Sequence, residues 1–327
     1  MPMPVRNLNE NLQKRHGGKR TGTRITADTD TSIRSRRMKA AEASRRSKSQ
    51  SESQGRLIWV LGVIALVALA VLLGTIILKD EYKNKPANSG ESGDGTAGGL
   101  EIIAEYPHDP EAFTQGLLFH SDGHLYESTG LYGQSTIRKV NPISGDIIMQ
   151  QSLDSIYFGE GLELVGDKLI QLTWRRRTAF VYNVTTFDLI NSFTFTTNQN
   201  EGWGIASNGT HLVVSDGSEY LHIWDINSFT ELSRIQVIDS ATGNIVRRLN
   251  ELEFVGNELL ANIWYSDRVA RIDVEQGLVT GYYDFSDLPY QRKSSEDVLN
   301  GIAYSADDHS LYITGKLWSK MFKLKLP

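Results

Sequence analysis

Tyr157-Phe158-Gly159-Glu160-Gly161 is the clearest copy of a phrase that returns along the chain. Phe113-Thr114-Gln115-Gly116-Leu117 precedes it. Glu201-Gly202-Trp203-Gly204-Ile205, Asn250-Glu251-Leu252-Glu253-Phe254 and Asn300-Gly301-Ile302-Ala303-Tyr304 follow it. With Gly116, Gly161, Gly204, Leu252 and Gly301 as equivalent points, the steps are 45, 43, 48 and 49 residues. A steady period of this size marks a β-propeller built from sheet blades. In such a fold, the loop entering the innermost strand of each blade opens near the central channel. The five copies therefore place Gln115, Glu160, Trp203, Asn250 and Asn300 around one pocket.

Working outward from the phrase, the chain reads as short strands. Second strands are expected at 125–129, 169–173, 212–215, 259–263 and 311–314, each set off from the first by a turn such as Ser121-Asp122-Gly123 or Val165-Gly166-Asp167. Third strands follow, for example at 136–140 and 221–224, and fourth strands at 146–150, 189–195, 231–237 and 278–285. No stretch after residue 100 keeps a helical period. The last repeat stops without a fourth strand, while residues 101–106 form a strand with no blade of its own. Pairing the two closes the ring and covers an exposed edge. The expected fold class is all-β, a five-bladed propeller over residues 100–327.

Upstream, the composition changes. Residues 1–56 carry 14 Lys/Arg against 5 Asp/Glu, have few large apolar side chains and are expected to be a disordered basic tail. Residues 57–78, LIWVLGVIALVALAVLLGTIIL, are 22 in number and uncharged. As a helix they would extend about 33 Å, enough to span a bilayer core. The stretch is longer than the apolar part of a signal peptide, starts farther from the N-terminus and ends in Lys79-Asp80-Glu81-Tyr82. No small-residue cleavage site follows, so an uncleaved signal anchor is expected. The basic excess before it predicts a cytoplasmic N-terminus and an exported C-terminal domain, periplasmic, otherwise extracytoplasmic or lumenal. Residues 79–99 read as a flexible polar tether.

Several function classes are excluded by composition and motif. The chain has no cysteine, which removes disulfides, thiolate metal sites and a cysteine nucleophile. The net charge of −5 hides an asymmetry: beyond residue 56 there are 20 basic and 34 acidic residues, which argues against nucleic acid as a partner. There is no nucleotide-binding P-loop and no Gly-x-Ser-x-Gly elbow. His120 and His124 flank a turn and are expected to be solvent-exposed rather than zinc ligands. Arg175-Arg176-Arg177 reads as a solvated turn, and Trp224-Asp225 as a strand tryptophan before a turn.

Trp174 and Trp264 each lie 14 residues after a rim residue, Glu160 and Asn250, and each ends a second strand. Both can return to the mouth of the channel where Trp203 already lies. Packing between blades is the structural alternative; an aromatic box around a small organic group is the functional reading.

At these residues the chain resembles the plant-type glutaminyl-peptide cyclotransferases, five-bladed propellers also called glutaminyl cyclases. The resemblance runs through Phe-Thr-Gln-Gly (113–116), Glu-Ser-Thr-Gly-Leu-Tyr-Gly (127–133) and Phe-Gly-Glu-Gly-Leu (158–162). It continues in Gly-Trp-Gly (202–204), Leu-Asn-Glu-Leu-Glu (249–253), Asn-Ile-Trp (262–264), Val-Leu-Asn-Gly-Ile-Ala (298–303) and Thr-Gly-Lys-Leu-Trp (314–318). Each motif alone is weak, but jointly they are specific, and they cover residues 101–327. The resemblance implies conversion of an N-terminal glutamine to pyroglutamate with loss of ammonia. It carries active-site roles onto Phe113, Gln115, Phe158, Glu160, Trp174, Trp203, Asn250, Trp264 and Lys316.

This chemistry suits those residue types. Ring closure within one residue needs mainly a folded, held substrate. One carboxylate between the two nitrogens can carry the proton from the attacking amine to the leaving ammonia, and Glu160 is the candidate. Asn250 or Lys316 can stabilise the oxyanion. Phe113, Gln115, Phe158, Trp174, Trp203 and Trp264 are the expected substrate-binding residues. No step requires a metal or organic cofactor, and a monomeric catalytic domain is expected. Two other classes compete. One is a non-catalytic, membrane-tethered propeller that binds peptides or a protein partner. The other is a propeller hydrolase or lactonase, which the Gln, Glu, Asn and Trp rim speaks against.

Overall fold

A computed structural model describes residues 96–327. The expected basic tail, the expected span at 57–78 and the tether up to residue 95 lie outside the described residues. Among the described residues there are 22 strands and no helix, arranged in five sheets. The first blade is Thr114–Phe119, Leu125–Thr129, Thr136–Val140 and Ile147–Ser152. The second is Gly159–Val165, Lys168–Thr173, Thr178–Asn183 and Leu189–Thr194; the third is Ile205–Ser207, His211–Ser215, Tyr220–Asp225 and Glu231–Gln236. The fourth is Leu249–Val255, Glu258–Ile263, Arg268–Asp273 and Leu278–Asp284, extended by a parallel two-residue strand, Ile238–Asp239. The fifth is Leu299–Ser305, Ser310–Gly315 and Lys320–Lys325, completed by Leu100–Pro107.

The closure expected from the orphan strand is present. Leu100–Pro107 pairs antiparallel with Lys320–Lys325, from Glu101 opposite Lys325 to Pro107 opposite Lys320. The tether departs from expectation at its end. Thr96–Ala97 folds back on Leu100 and Glu101 through Gly98-Gly99, whose φ angles of 61° and 79° suit glycine.

The first strands of the five blades touch their neighbours in cyclic order and form the inner ring. Burial falls from the second strand of a blade to the fourth, because each blade packs between two others: every residue of the second strands Leu125–Thr129 and Ser310–Gly315 is buried, whereas the fourth strand Leu189–Thr194 is almost wholly exposed. The core is correspondingly interleaved. Ile170, Leu172 and Ala179 of the second blade pack with Ile205, Leu212 and Trp224 of the third. The glycines of the recurring phrase mark where inner strands approach most closely. Gly161 N donates to Trp203 O at 2.6 Å, and a Cβ on Gly204 would lie 2.0 Å from Asn250 O. No other residue fits there.

An inner strand has no ladder partner on its channel side, so its N–H groups need other acceptors. Glutamates on the inner strands supply them. Glu163 accepts from Ser207 N at 2.8 Å, Glu253 from Tyr304 N at 3.0 Å, and Glu251 from Leu117 N at 3.3 Å and Ile302 N at 2.9 Å. Burial pushes the Glu163 carboxyl up to about 8. Burial, reinforced by neighbouring glutamates, holds Glu251 and Glu253 well above the ordinary carboxylate range.

Candidate active site

Two tiers of residues converge at one mouth of the ring. The upper tier sits in β-bulges. Strand registers shift between Thr114 and Gly116, Gly159 and Leu162, Leu249 and Leu252, and Leu299 and Ile302. A bulge re-aims the side chain it contains, and these four bulges contain Gln115, Glu160, Asn250 and Asn300. In the third blade the first strand begins only at Ile205, and Trp203 lies in the loop before it. The second tier is the residue that leaves each second strand: Gly130, Trp174, Asp216, Trp264 and Lys316. A repeated hydrogen bond locks the tiers together. Gly130 N donates to Phe113 O at 2.8 Å, Trp174 N to Phe158 O at 3.1 Å, Trp264 N to Arg248 O at 2.9 Å and Lys316 N to Val298 O at 2.9 Å. The chain then turns sharply: Leu131, Tyr265 and Leu317 hold φ angles of 81°, 64° and 60°. Non-glycine residues in that region carry strain of about 1–3 kcal/mol and gather at functional sites.

Together these residues line a cavity of about 280 Å³: Phe113, Gln115, Leu131, Phe158, Glu160, Trp174, Trp203, Asn250, Trp264, Glu296 and Lys316. Phe158 packs edge-on to Phe113 and to Trp174, with centroids 6.0 and 5.6 Å apart, and Trp203 packs edge-on to Trp264 at 5.4 Å. Larger depressions, of about 410 and 880 Å³, lie between the outer parts of neighbouring blades. Neither gathers buried, electrostatically perturbed side chains as the central cavity does.

Three polar groups define its chemistry. Glu160 is 4% exposed, and among the described residues no group hydrogen-bonds its carboxyl. Burial pushes that carboxyl well above its ordinary range; Lys316 pulls it down and Glu201 pushes it up. Lys316, also 4% exposed, is held down to about 8 by burial, against the pull of Glu160 and Glu296. Its ammonium lies 4.9 Å from the centre of the Phe113 ring. Glu160 and Lys316 feel each other without forming an ion pair, which leaves room for a substrate group between them. Asn250 is buried, and its Oδ1 has no partner. It is an acceptor that awaits a donor.

All nine residues carried over by resemblance line this cavity. Asn300, expected on the rim from the repeat, does not. Its Nδ2 donates to Thr114 O at 2.9 Å and to Gln115 Oε1 at 3.3 Å, so it is turned toward the first blade and buttresses Gln115. The fifth blade reaches the cavity through Lys316 instead. Leu131 and Glu296 were not anticipated. Nor was Glu201, whose Oε2 accepts both indole N–H groups, Trp174 Nε1 at 2.6 Å and Trp203 Nε1 at 3.0 Å. The only sequence signal for Glu201 was its place at the head of the third phrase. Arg175-Arg176-Arg177 is an exposed turn as expected, with the Arg175 guanidinium stacked 3.7 Å from the Trp174 ring centre. His120 and His124 are half-buried beside Asp122, and among the described residues no group of His, Asp and Glu is arranged to hold a metal ion.

The chain is similar to known proteins along most of its length. The family model described as glutamine cyclotransferase matches residues 72–326. A glutaminyl-peptide cyclotransferase of Arabidopsis thaliana is 38% identical over 285 residues, which cover 85% of this chain and 88% of that protein. The crystal structure of Myxococcus xanthus glutaminyl cyclase matches with a TM-score of 0.63 and 35% identity, over 69% of this chain and 95% of that one. The family match begins at residue 72, so the similarity reaches upstream of the propeller motifs and is not confined to 101–327.

Proposed function

The chain belongs to the glutamine cyclotransferase family, and from that premise we propose that it converts the N-terminal glutamine of peptides and proteins to pyroglutamate, releasing ammonia. The observation that carries the mechanism is Glu160: a buried carboxyl with no hydrogen bond from the described residues, in an aromatic cavity that it shares with Lys316.

The α-amine nitrogen attacks the γ-carboxamide carbon, forming the ring N–C bond. The bond from that carbon to the amide nitrogen then breaks. The attacking nitrogen gives up one proton and the leaving nitrogen gains one, so a single shuttling carboxyl balances the reaction. A carboxyl raised toward neutrality is matched to both halves of that transfer. Asn250 Oδ1 suits an N–H of the folded substrate, and the Lys316 ammonium suits the developing oxyanion. The phenylalanines and tryptophans pack the glutamine methylenes and exclude water, so these charges act at full strength. The protein's own groups supply every step, without a metal. Ammonia release from a short peptide that begins with glutamine tests this reading, with the same peptide beginning with asparagine as control. Binding of the glutamine peptide without ammonia release would instead favour a non-catalytic peptide-binding propeller.

The 22 uncharged residues at 57–78, preceded by 14 basic ones, support a single-pass anchor with a cytoplasmic N-terminus and an exported catalytic domain. Protease added to sealed spheroplasts should reach the propeller only from the non-cytoplasmic side. Digestion from the cytoplasmic side of intact membranes would reverse that topology.

A further inference from the structure

Two residues before the rim residue, the first two blades present an aromatic ring, Phe113 and Phe158, to the cavity. The third blade presents a carboxylate in the same position, Glu201. Its contacts are unusual for a residue at a mouth. One oxygen, Oε2, accepts both indole N–H groups of the box, from Trp174 and Trp203. The other, Oε1, takes Arg175 Nε at 3.2 Å, and the Arg175 guanidinium covers the Trp174 ring. The backbone of Glu201 is itself fixed, because Thr197 Oγ1 donates to its carbonyl at 2.6 Å and accepts from its N–H at 3.1 Å. Two tryptophans from different blades thus hang from a single oxygen atom.

We propose, on the basis of the cyclase reading above, that Glu201 is a positioning residue of the reaction: it fixes the two indole planes that grip the glutamine side chain. An indole free to rotate would cost the held geometry on which intramolecular attack depends. The charge of Glu201 has a separate consequence. The groups that act on Glu160 are Lys316, which favours its ionised form, and Glu201, which disfavours it. Glu296 bears on Lys316 in turn, and Arg175 lies against Glu201. Removing the Glu201 charge therefore makes Glu160 more acidic.

Two variants of the full-length protein separate the effects. Glu201→Gln keeps an amide oxygen that accepts both indole N–H groups but removes the charge. KM for a glutamine-initiated peptide should stay within about threefold, while the acidic limb of the kcat profile moves to lower pH. Glu201→Leu removes the acceptor as well, and KM should rise roughly tenfold, the scale of one lost hydrogen bond to a charged group. Near-ultraviolet circular dichroism reads the clamp without turnover: the tryptophan bands should persist in Glu201→Gln and change in Glu201→Leu. If wild type releases ammonia but Glu201→Gln keeps the wild-type acidic limb and Glu201→Leu keeps the wild-type KM and spectrum, Glu201 positions nothing. If wild type itself releases no ammonia, the cyclase reading falls, and the spectra alone decide the clamp: unchanged bands in Glu201→Leu overturn it.

Discussion

The inner ring of the propeller holds two sets of carboxyls that look alike electrostatically and differ in what touches them. Glu163, Glu251 and Glu253 lie along the inner strands and accept backbone N–H groups, most of them from neighbouring blades. Glu160 lies on the same strand as Glu163, inside a bulge, and its carboxyl receives no hydrogen bond from the described residues. All four carboxyls are pushed above their ordinary range, chiefly by burial. A perturbed proton affinity therefore does not distinguish the reactive group from the structural ones. What distinguishes Glu160 is an unfilled coordination sphere that opens into an aromatic cavity. The structural glutamates spend their lone pairs on strand edges, whereas Glu160 keeps its own for substrate.

The sharpest way to break this comparison is Glu160→Gln, which preserves shape and removes the titrating group. Turnover should fall by about 10²-fold or more, the scale of general acid–base catalysis. The fold should survive, and above about pH 5 the melting temperature should if anything rise, because a carboxyl whose proton affinity is raised by burial no longer ionises in the folded state. Ammonia release and thermal unfolding of the two proteins give the answer, and near wild-type turnover would sink the shuttle. Trp174→Ala tests the cavity wall instead. Loss of one large apolar contact should raise KM roughly tenfold, read from initial rates across peptide concentrations.

Lys316 sharpens the comparison from the opposite charge. It must be protonated to stabilise an oxyanion, and burial brings its ammonium down to about 8. The kcat of wild type should therefore decline as pH rises through about 8. In Lys316→Arg the guanidinium stays charged throughout that range, so the alkaline limb should move beyond about pH 10. An alkaline limb in the same place in both proteins would assign it to another group.

The period of the phrase, its five copies and the orphan first strand were enough to read the ring and its closure from the sequence. Glycine at a fixed interval is legible because backbone contact permits no substitute, as at Gly161 and Gly204. Trp174 and Trp264 were legible because both leave a second strand at the same distance from a rim residue. Asn300 was misplaced because the repeat fixes where the backbone opens but not which way a bulge turns a side chain. Glu201 was invisible as a clamp, since its role depends on two indoles from different blades meeting at one oxygen. Glu163, Glu251 and Glu253 were unreadable for a related reason: their partners are backbone N–H groups, which carry no sequence signature.

The smallest expected effect tests the structural half of the comparison, through Glu253→Gln. The Glu253 carboxyl is held well above its ordinary value near 4.5, first by burial and then by the Glu163 charge. A carboxyl with a higher proton affinity in the folded state favours folding while it is protonated. Its contribution is intact below pH 4.5 and is lost as pH rises through the folded value. Glutamine is neutral at every pH, and its amide oxygen can still accept the Tyr304 N–H. The melting temperature of the variant, relative to wild type, should therefore climb as pH rises above about 5, by on the order of 2–4 °C. Turnover should stay at the wild-type level, because the group faces a strand edge rather than the cavity. A difference in melting temperature that does not vary with pH would mean that Glu253 does not titrate against folding. Lost turnover at unchanged stability would be more damaging, because it would place a hydrogen-bonded carboxyl in the chemistry and remove the criterion that singles out Glu160.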